Sequence, residues 1–310
     1  MYPSPLEVKV RSSRFLWVFV EKFFLWLNKI ANKRGILLNY SVIELSPEFI
    51  SSNQKQSLQE VCILIQGPIL YPNFLNNVIE FYKKNYPSTP VILSTWEHEK
   101  KLKDIRNLKH VILFENKSPV SEGVSNLNFQ VVSTLSGLSI AREIGAKHVL
   151  KMRSDQGLFA TNFLEQFVLA LKYAPDSGKP RIATTDFNSF LFRPNSPNDQ
   201  IQFAETETLT KFWSAYDEKK ARKDSFPEEI LLLAYLSKFG ILNNGSLGES
   251  LEIYRDYYVF LDSSDLGLVW RKGSWRHPDS RFNQLNRASL LNFVTPDEWR
   301  RLQVDLTYVL

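Results

Sequence analysis

Cysteine is nearly missing from this 310-residue chain, where Cys62 stands alone. No disulfide can form within the chain, which fits a reducing cytosol and removes small stapled folds. Cys62 itself sits in Val61-Cys-Ile-Leu-Ile65, the pattern of a buried strand. No apolar run reaches the ~20 residues that cross a bilayer. Neither G-x-G-x-x-G nor G-x-x-x-x-G-K-[ST] occurs, so dinucleotide oxidoreductases and P-loop enzymes lose support. Histidine and cysteine form no cluster with metal spacing, and no Ser-His-Asp arrangement is spaced for catalysis, which argues against zinc and acyl-transfer chemistry. Strong charge of one sign is also missing. The net charge is +5, and the basic residues are scattered rather than striped. Nucleic acid is therefore not an expected partner, whereas phosphates or an anionic membrane surface are.

What the chain does have is apolar mass: 44% hydrophobic against 23% charged residues, enough for a large α/β core. Residues 1–35 stand apart. Phe15-Leu-Trp-Val-Phe-Val20 and Phe23-Phe-Leu-Trp-Leu27 are interrupted by Glu21-Lys22 and flanked by Arg11, Arg14, Lys29, Lys33 and Arg34. The interruption and the lack of a small-residue cleavage site argue against a signal peptide. A helix packed on the domain is one reading. The favoured one is an amphipathic helix that lays Trp and Phe into the headgroup layer and residues 11–34 against anionic lipid. Residues 36–60 read as a linker or an edge strand at Ile36–Tyr40.

A repeating unit follows. Val61–Ile65 runs into the Gln66-Gly67-Pro68 turn, and Phe74, Leu75, Val78, Ile79 and Tyr82 share one helical face. Val91–Leu93 and Val111–Phe114 are the next strands, with a charged helix expected over Glu99–Asn107 between them. A helix over about Asn128–Ile144 leads to the strand at Val149–Met152. Strand–helix alternation with runs apolar on both faces means a mostly parallel sheet flanked by helices, in a single large domain. Residues 61–156 would form its nucleotide-binding half and 157–310 the acceptor half with a closing segment. In the second half, Ile182–Thr185 and Phe190–Phe192 read as strands. Ser225 and Glu228 are spaced as a capping box, with Pro227 in the first turn of an apolar helix, Ile230–Phe239. That leaves Glu229 as the freer carboxylate.

Polar groups gather at the strand tips, where open α/β sheets bind ligands. Gln66-Gly67, Ser94-Thr95, Asn116 and Arg153-Ser154-Asp155 lie there, and Gly67 would let a backbone amide approach a phosphate or base. Asn128 and Gln130 would read a nucleotide or cap their helix. Asp155 offers hard oxygen donors for Mg²⁺ or Mn²⁺, while Lys151 and Arg153 offer charge for phosphates. The plainer alternative has Asp155 capping the helix near Phe163–Ala170 and pairing with Arg153. Near the end, Arg271-Lys-Gly-Ser-Trp-Arg-His277 is a basic, aromatic loop suited to closing over a diphosphate, and His277 is a second candidate metal ligand.

Four segments in order resemble one family: Ile63–Pro68, Val91–Glu97, Asn128–Gln130 with Ser133–Leu138, and Leu150–Gln156. They resemble the WavE lipopolysaccharide-synthesis family, whose members look like glycosyltransferases of the GT-A (Rossmann-like) type. The resemblance covers about residues 60–275. It implies a nucleoside diphosphate sugar donor and a saccharide or lipid-linked saccharide acceptor; the lone cysteine and the N-terminal segment add the expectation of a cytoplasmic protein, peripheral on the inner face of the membrane. It also implies that Gln66, Gly67, Pro68, Ser94, Thr95, Trp96 and Gln130 line the nucleotide pocket, with Lys151, Arg153 and Asp155 at the diphosphate. Asp155 would hold the metal. Asp199, Glu228 and Glu229 would face the acceptor and include the base. The usual Asp-x-Asp of such enzymes is here Arg153-Ser154-Asp155, which puts metal dependence in question. A sugar nucleotidyltransferase and a catalytically inactive scaffold of polysaccharide assembly are the alternatives.

Overall fold

The computed structural model describes residues 58, 60–106, 108–191, 193–222, 224–243, 245–271 and 293–304. The amphipathic segment 1–35, the linker with its Ile36–Tyr40 candidate strand, and His277 lie outside the described residues. Among those described, no helix is long and apolar enough to cross a membrane.

Valine, isoleucine and leucine runs build a seven-stranded sheet in the order β3-β2-β1-β4-β7-β6-β8. Its strands are β1 (Val61–Gln66), β2 (Val91–Trp96), β3 (Ile112–Asn116), β4 (His148–Arg153), β6 (Ile182–Thr185), β7 (Gln202–Glu205) and β8 (Tyr258–Leu261). All run parallel except β7, which opposes β4 and β6. The sheet is mostly parallel, as the two-sided apolar runs predict. It also crosses the expected division at residue 156, because β4 pairs with β7. A separate two-stranded ribbon joins β5 (Gln156–Leu158) to β9 (Leu268–Trp270).

Among the described residues seven α-helices cover the sheet: α1 (Pro72–Asn85), α2 (Leu127–Glu143), α3 (Phe163–Tyr173), α4 (Thr206–Ser214), α5 (Pro227–Ser237), α6 (Leu247–Tyr257) and α7 (Pro296–Leu302). Helix α2 comes close to β1 because Gly137 lacks a side chain. A Cβ there would sit 2.2 Å from Leu64 Cδ1. Tyr82 on α1 bridges the layers, donating to Met152 Sδ at 3.2 Å and accepting from the Leu158 amide at 2.9 Å.

Three local expectations change. The helix expected over Glu99–Asn107 is two 3₁₀ turns, Lys100–Asp104 and Leu108–His110. Neither turn buries a residue, so no apolar face rewards a longer helix. Of the expected strand Phe190–Phe192, the described residues Phe190 and Leu191 are not in a strand; Phe190 makes an isolated bridge to Phe293. Helix α5 begins at Pro227 as expected, but its N-cap is Phe226 with no side-chain cap. The capping box is absent because Glu228 is drawn into the protein, where it is 8% exposed.

Candidate functional site

Since β7 alone is reversed, the C-terminal ends of the six parallel strands share one edge with the residues that lead into β7. Gln66, Trp96, Asn116 and Arg153 end their strands there, and Asp199 lies three residues before β7. Topology thus gathers residues as far apart in sequence as Gln66 and Asp199 along one line, where doubly wound sheets take ligands.

At the centre, Arg153 Nε donates to Asp155 Oδ1 at 2.9 Å and a terminal nitrogen donates to Oδ2 at 3.2 Å. Trp270 Nε1 donates to the same Oδ2 at 3.1 Å, and the Arg271 amide donates to the Asp155 carbonyl at 2.8 Å. Asp155 is 2% exposed. Both its oxygens are therefore engaged, and it does not cap α3, whose N-cap is Asn162. The expected pairing with Arg153 holds. Asp155 as a metal ligand meets a poor donor set: a single buried carboxylate already bound to a guanidinium and an indole. Among the described residues no group of three or more His, Cys, Asp or Glu is placed to hold an ion. Among the described residues, the donor set around Asp155 does not by itself make a divalent-cation site.

Lys151 is fully buried and runs beneath the site. Its Nζ donates to the Asp199 carbonyl at 2.6 Å and lies 4.3 Å from the centre of the Trp213 ring. Burial lowers its pKa to about 7; the charges of Asp199, Asp155 and Glu228 oppose the shift and that of Arg153 adds to it. So Lys151 supports the Asp199 turn from below rather than facing a phosphate. Asp199 is 3% exposed. Its neighbour Gln200 accepts from Gln156 Nε2 at 2.6 Å, which ties this turn to the ribbon. Glu228 accepts from Asn188 Nδ2 at 3.3 Å. Glu229 points the other way, to Arg222 at 3.4 Å. Glu228, not Glu229, is the carboxylate whose charge acts on Lys151.

The other expected donor residues divide. Gln66 Oε1 accepts from Ser133 Oγ at 2.7 Å, and Ser94 Oγ donates to the Ser133 carbonyl at 2.7 Å. Both side chains fasten α2 to the sheet. The Gly67 amide, expected to face a ligand, donates to the Ser94 carbonyl at 3.0 Å. Gly67 has φ of +113°, and a Cβ there would lie 3.3 Å from Ser154 Oγ, so glycine serves the turn. Pro68 is exposed and its carbonyl accepts from Ser154 Oγ at 2.6 Å. Trp96 packs edge-on against Phe129, ring centres 5.0 Å apart. Thr95 Oγ1, Asn116 Oδ1 and Gln130 Oε1 are buried polar atoms without a protein partner beside these tips. Asn128 does not cap α2; it donates to Ser121 Oγ at 2.7 Å.

Sequence reasoning missed Trp270 as a partner of Asp155. Its only signal was an apolar run before a basic loop, because β5 and β9 are 110 residues apart and nothing local announces their pairing.

Solved structures overlap this chain at low identity. The mannosyltransferase PcManGT from Pyrobaculum calidifontis, in complex with GDP-Man and Mn²⁺, is 10% identical with a TM-score of 0.40, over 73% of this chain and 60% of that one. Glucosyl-3-phosphoglycerate synthase from Mycobacterium tuberculosis, with Mn²⁺ and UDP-Glc, is 12% identical with a TM-score of 0.40, over 78% and 84%. A 4-diphosphocytidyl-2C-methyl-D-erythritol synthase is 10% identical with a TM-score of 0.40, over 72% and 95%. A comparison with curated proteins finds no match. A family model matches residues 61–222, from the first strand of the sheet past Asp199, more than half of the chain. The protein belongs to the family described as WavE lipopolysaccharide synthesis.

Proposed function

We propose that this protein is a glycosyltransferase that moves a sugar from a nucleoside diphosphate sugar to a hydroxyl of a lipopolysaccharide or related surface saccharide. The observation that carries the reading is the Arg153–Asp155 pair at the end of β4, clamped by Trp270 and facing the Asp199–Glu228 side of the same edge. Family membership supports it.

Transfer breaks the bond between the anomeric carbon and the diphosphate oxygen and forms a bond from that carbon to the acceptor oxygen. Two charges must be managed. The leaving diphosphate gains negative charge, which the unpaired donors of Arg153 and the Arg271 guanidinium stabilise. Asp155 holds Arg153 in place for this task. The acceptor hydroxyl loses its proton to a carboxylate, for which Glu228 is the better placed of the α5 pair. It stands one residue inside the helix start and is 8% exposed. Asp199 is the competing base.

Nucleoside diphosphate release from UDP- and GDP-sugars, with lipopolysaccharide core oligosaccharide as acceptor, tests the reading. Release that depends on acceptor and fails in Arg153→Ala supports it. Tight donor binding without turnover under any acceptor would support an inactive scaffold instead, and pyrophosphate release from sugar phosphate and nucleoside triphosphate would support a nucleotidyltransferase. Peripheral membrane attachment through residues 11–34 belongs to the same proposal. Deleting residues 1–35 should release the protein from anionic liposomes, and unchanged binding would remove that part.

A further inference from the structure

A cavity of about 290 Å³ lies beside the start of α2. Its walls come from the loop after β3 (Ser121), from α2 (Asn128 and Val131) and from the chain just past α4 (Tyr216 and Glu218). It opens at the ligand-binding end of the sheet. Helix α2 starts there because it follows β3, and α4 ends there because the reversed strand β7 sends it back. The cavity borders the nucleotide side directly, since Asn128 lines it while the next residue, Phe129, packs against Trp96.

Its polar groups form a set. Asn128 Nδ2 donates to Ser121 Oγ at 2.7 Å, and Ser121 Oγ donates to Glu218 Oε1 at 2.5 Å. Tyr216 brings a buried hydroxyl with no protein partner. Gly123 makes room for this: it sits at φ +66°, and a Cβ would lie 2.6 Å from Asn128 Oδ1 and 3.0 Å from Tyr216 Oη. Val131 supplies an apolar wall, and Val120 stands fully exposed at the rim. Among the described residues Glu218 is the only charged side chain lining the cavity. The linked Glu218, Ser121 and Asn128 side chains, with the Tyr216 hydroxyl behind them, stand beside the apolar wall of Val131, a mix that suits a pyranose, which presents hydroxyls at its edge and C–H groups on its face. The same carboxylate opposes phosphates and acidic sugars, so the cavity is unsuited to the donor nucleotide.

We infer that this cavity is a second saccharide subsite, which holds a neutral sugar unit of the acceptor chain away from the transfer centre. The assignment rests on the transferase reading for its purpose but not for its binding.

Saturation-transfer NMR on the full chain, with methyl glucoside, galactoside and mannoside and N-acetylglucosamine, tests it with the donor site filled by UDP or GDP. At least one glycoside should give a signal that survives the nucleotide. That signal should fall at least threefold in Tyr216→Phe, which removes only the free hydroxyl, and in Val131→Trp, which fills the cavity. Thermal stabilisation by the nucleotide should be unchanged in both. No signal from any glycoside, a signal undiminished in both variants, or a signal displaced by the nucleotide overturns the subsite. If glycosides behave as expected but no nucleoside diphosphate stabilises the protein, the transferase reading falls and the subsite stands.

Discussion

Arg153 holds Asp155 by two nitrogens, at 2.9 and 3.2 Å, in a pair whose carboxylate is almost wholly buried and whose guanidinium side chain is 20% exposed. In the proposed function the exposed part of Arg153 is what the donor would meet, and Asp155 fixes its direction. Removing the carboxylate leaves a mostly buried cation unpaired and the Trp270 N–H without an acceptor. Asp155→Ala should cost about 3 kcal/mol of unfolding free energy in urea titration. Arg153→Lys, which cannot make the two-pronged contact, should lose donor binding with a smaller loss of stability.

With Asp155 already neutralised, donor binding should not require a divalent ion. Thermal stabilisation by the preferred nucleoside diphosphate should be the same in EDTA as in Mn²⁺. Stabilisation that appears only with Mn²⁺ would show that Asp155 leaves Arg153 to take up the ion.

Lys151 makes stability depend on pH. Burial depresses its folded pKa to about 7, well below its unfolded value, so between these pH values the unfolded chain binds the extra proton. Its contribution to stability therefore rises with pH above 7, approaching about 1.4 kcal/mol per pH unit for one proton. Urea titrations at pH 7 and 9 should show this rise in the wild type and a flatter response in Lys151→Met.

Helix-interior glycine normally gains up to about 1 kcal/mol on replacement by alanine. At Gly137 the sign should reverse. The new methyl meets Leu64 at 2.2 Å in a packed core, and displacing α2 from β1 should cost about 1–3 kcal/mol in chemical denaturation.

Adjacent glutamates on α5 should separate in kinetics. Glu228→Gln should lower kcat by at least about 100-fold, as for a lost general base. Glu229→Gln, which removes only the contact to Arg222, should leave kcat within a few-fold of wild type. The reverse order would return the role to Glu229, and little change in either would move it to Asp199.

Strands β1, β2 and β4 and helices α1 and α2 were legible in the chain because each is a run of Val, Ile and Leu or an apolar face of helical period, and such patterns are local. The polar strand tips were legible for the same reason: they interrupt those runs. What each tip residue does was not legible, because it depends on partners distant in sequence. Gln66 and Ser94 read as ligand contacts and are consumed by Ser133 on α2. Glu228 read as a helix cap and is turned inward to Asn188, forty residues away. Asp155 read as a metal ligand or as the partner of Arg153, and the indole N–H of Trp270, carried in on a paired ribbon 115 residues later, adds a further donor to its Oδ2. Hydrophobic periodicity is a property of neighbours along the chain and fixes which faces are buried. The state of a buried carboxylate is set by which donors the finished fold brings to it, and only the tertiary structure decides that.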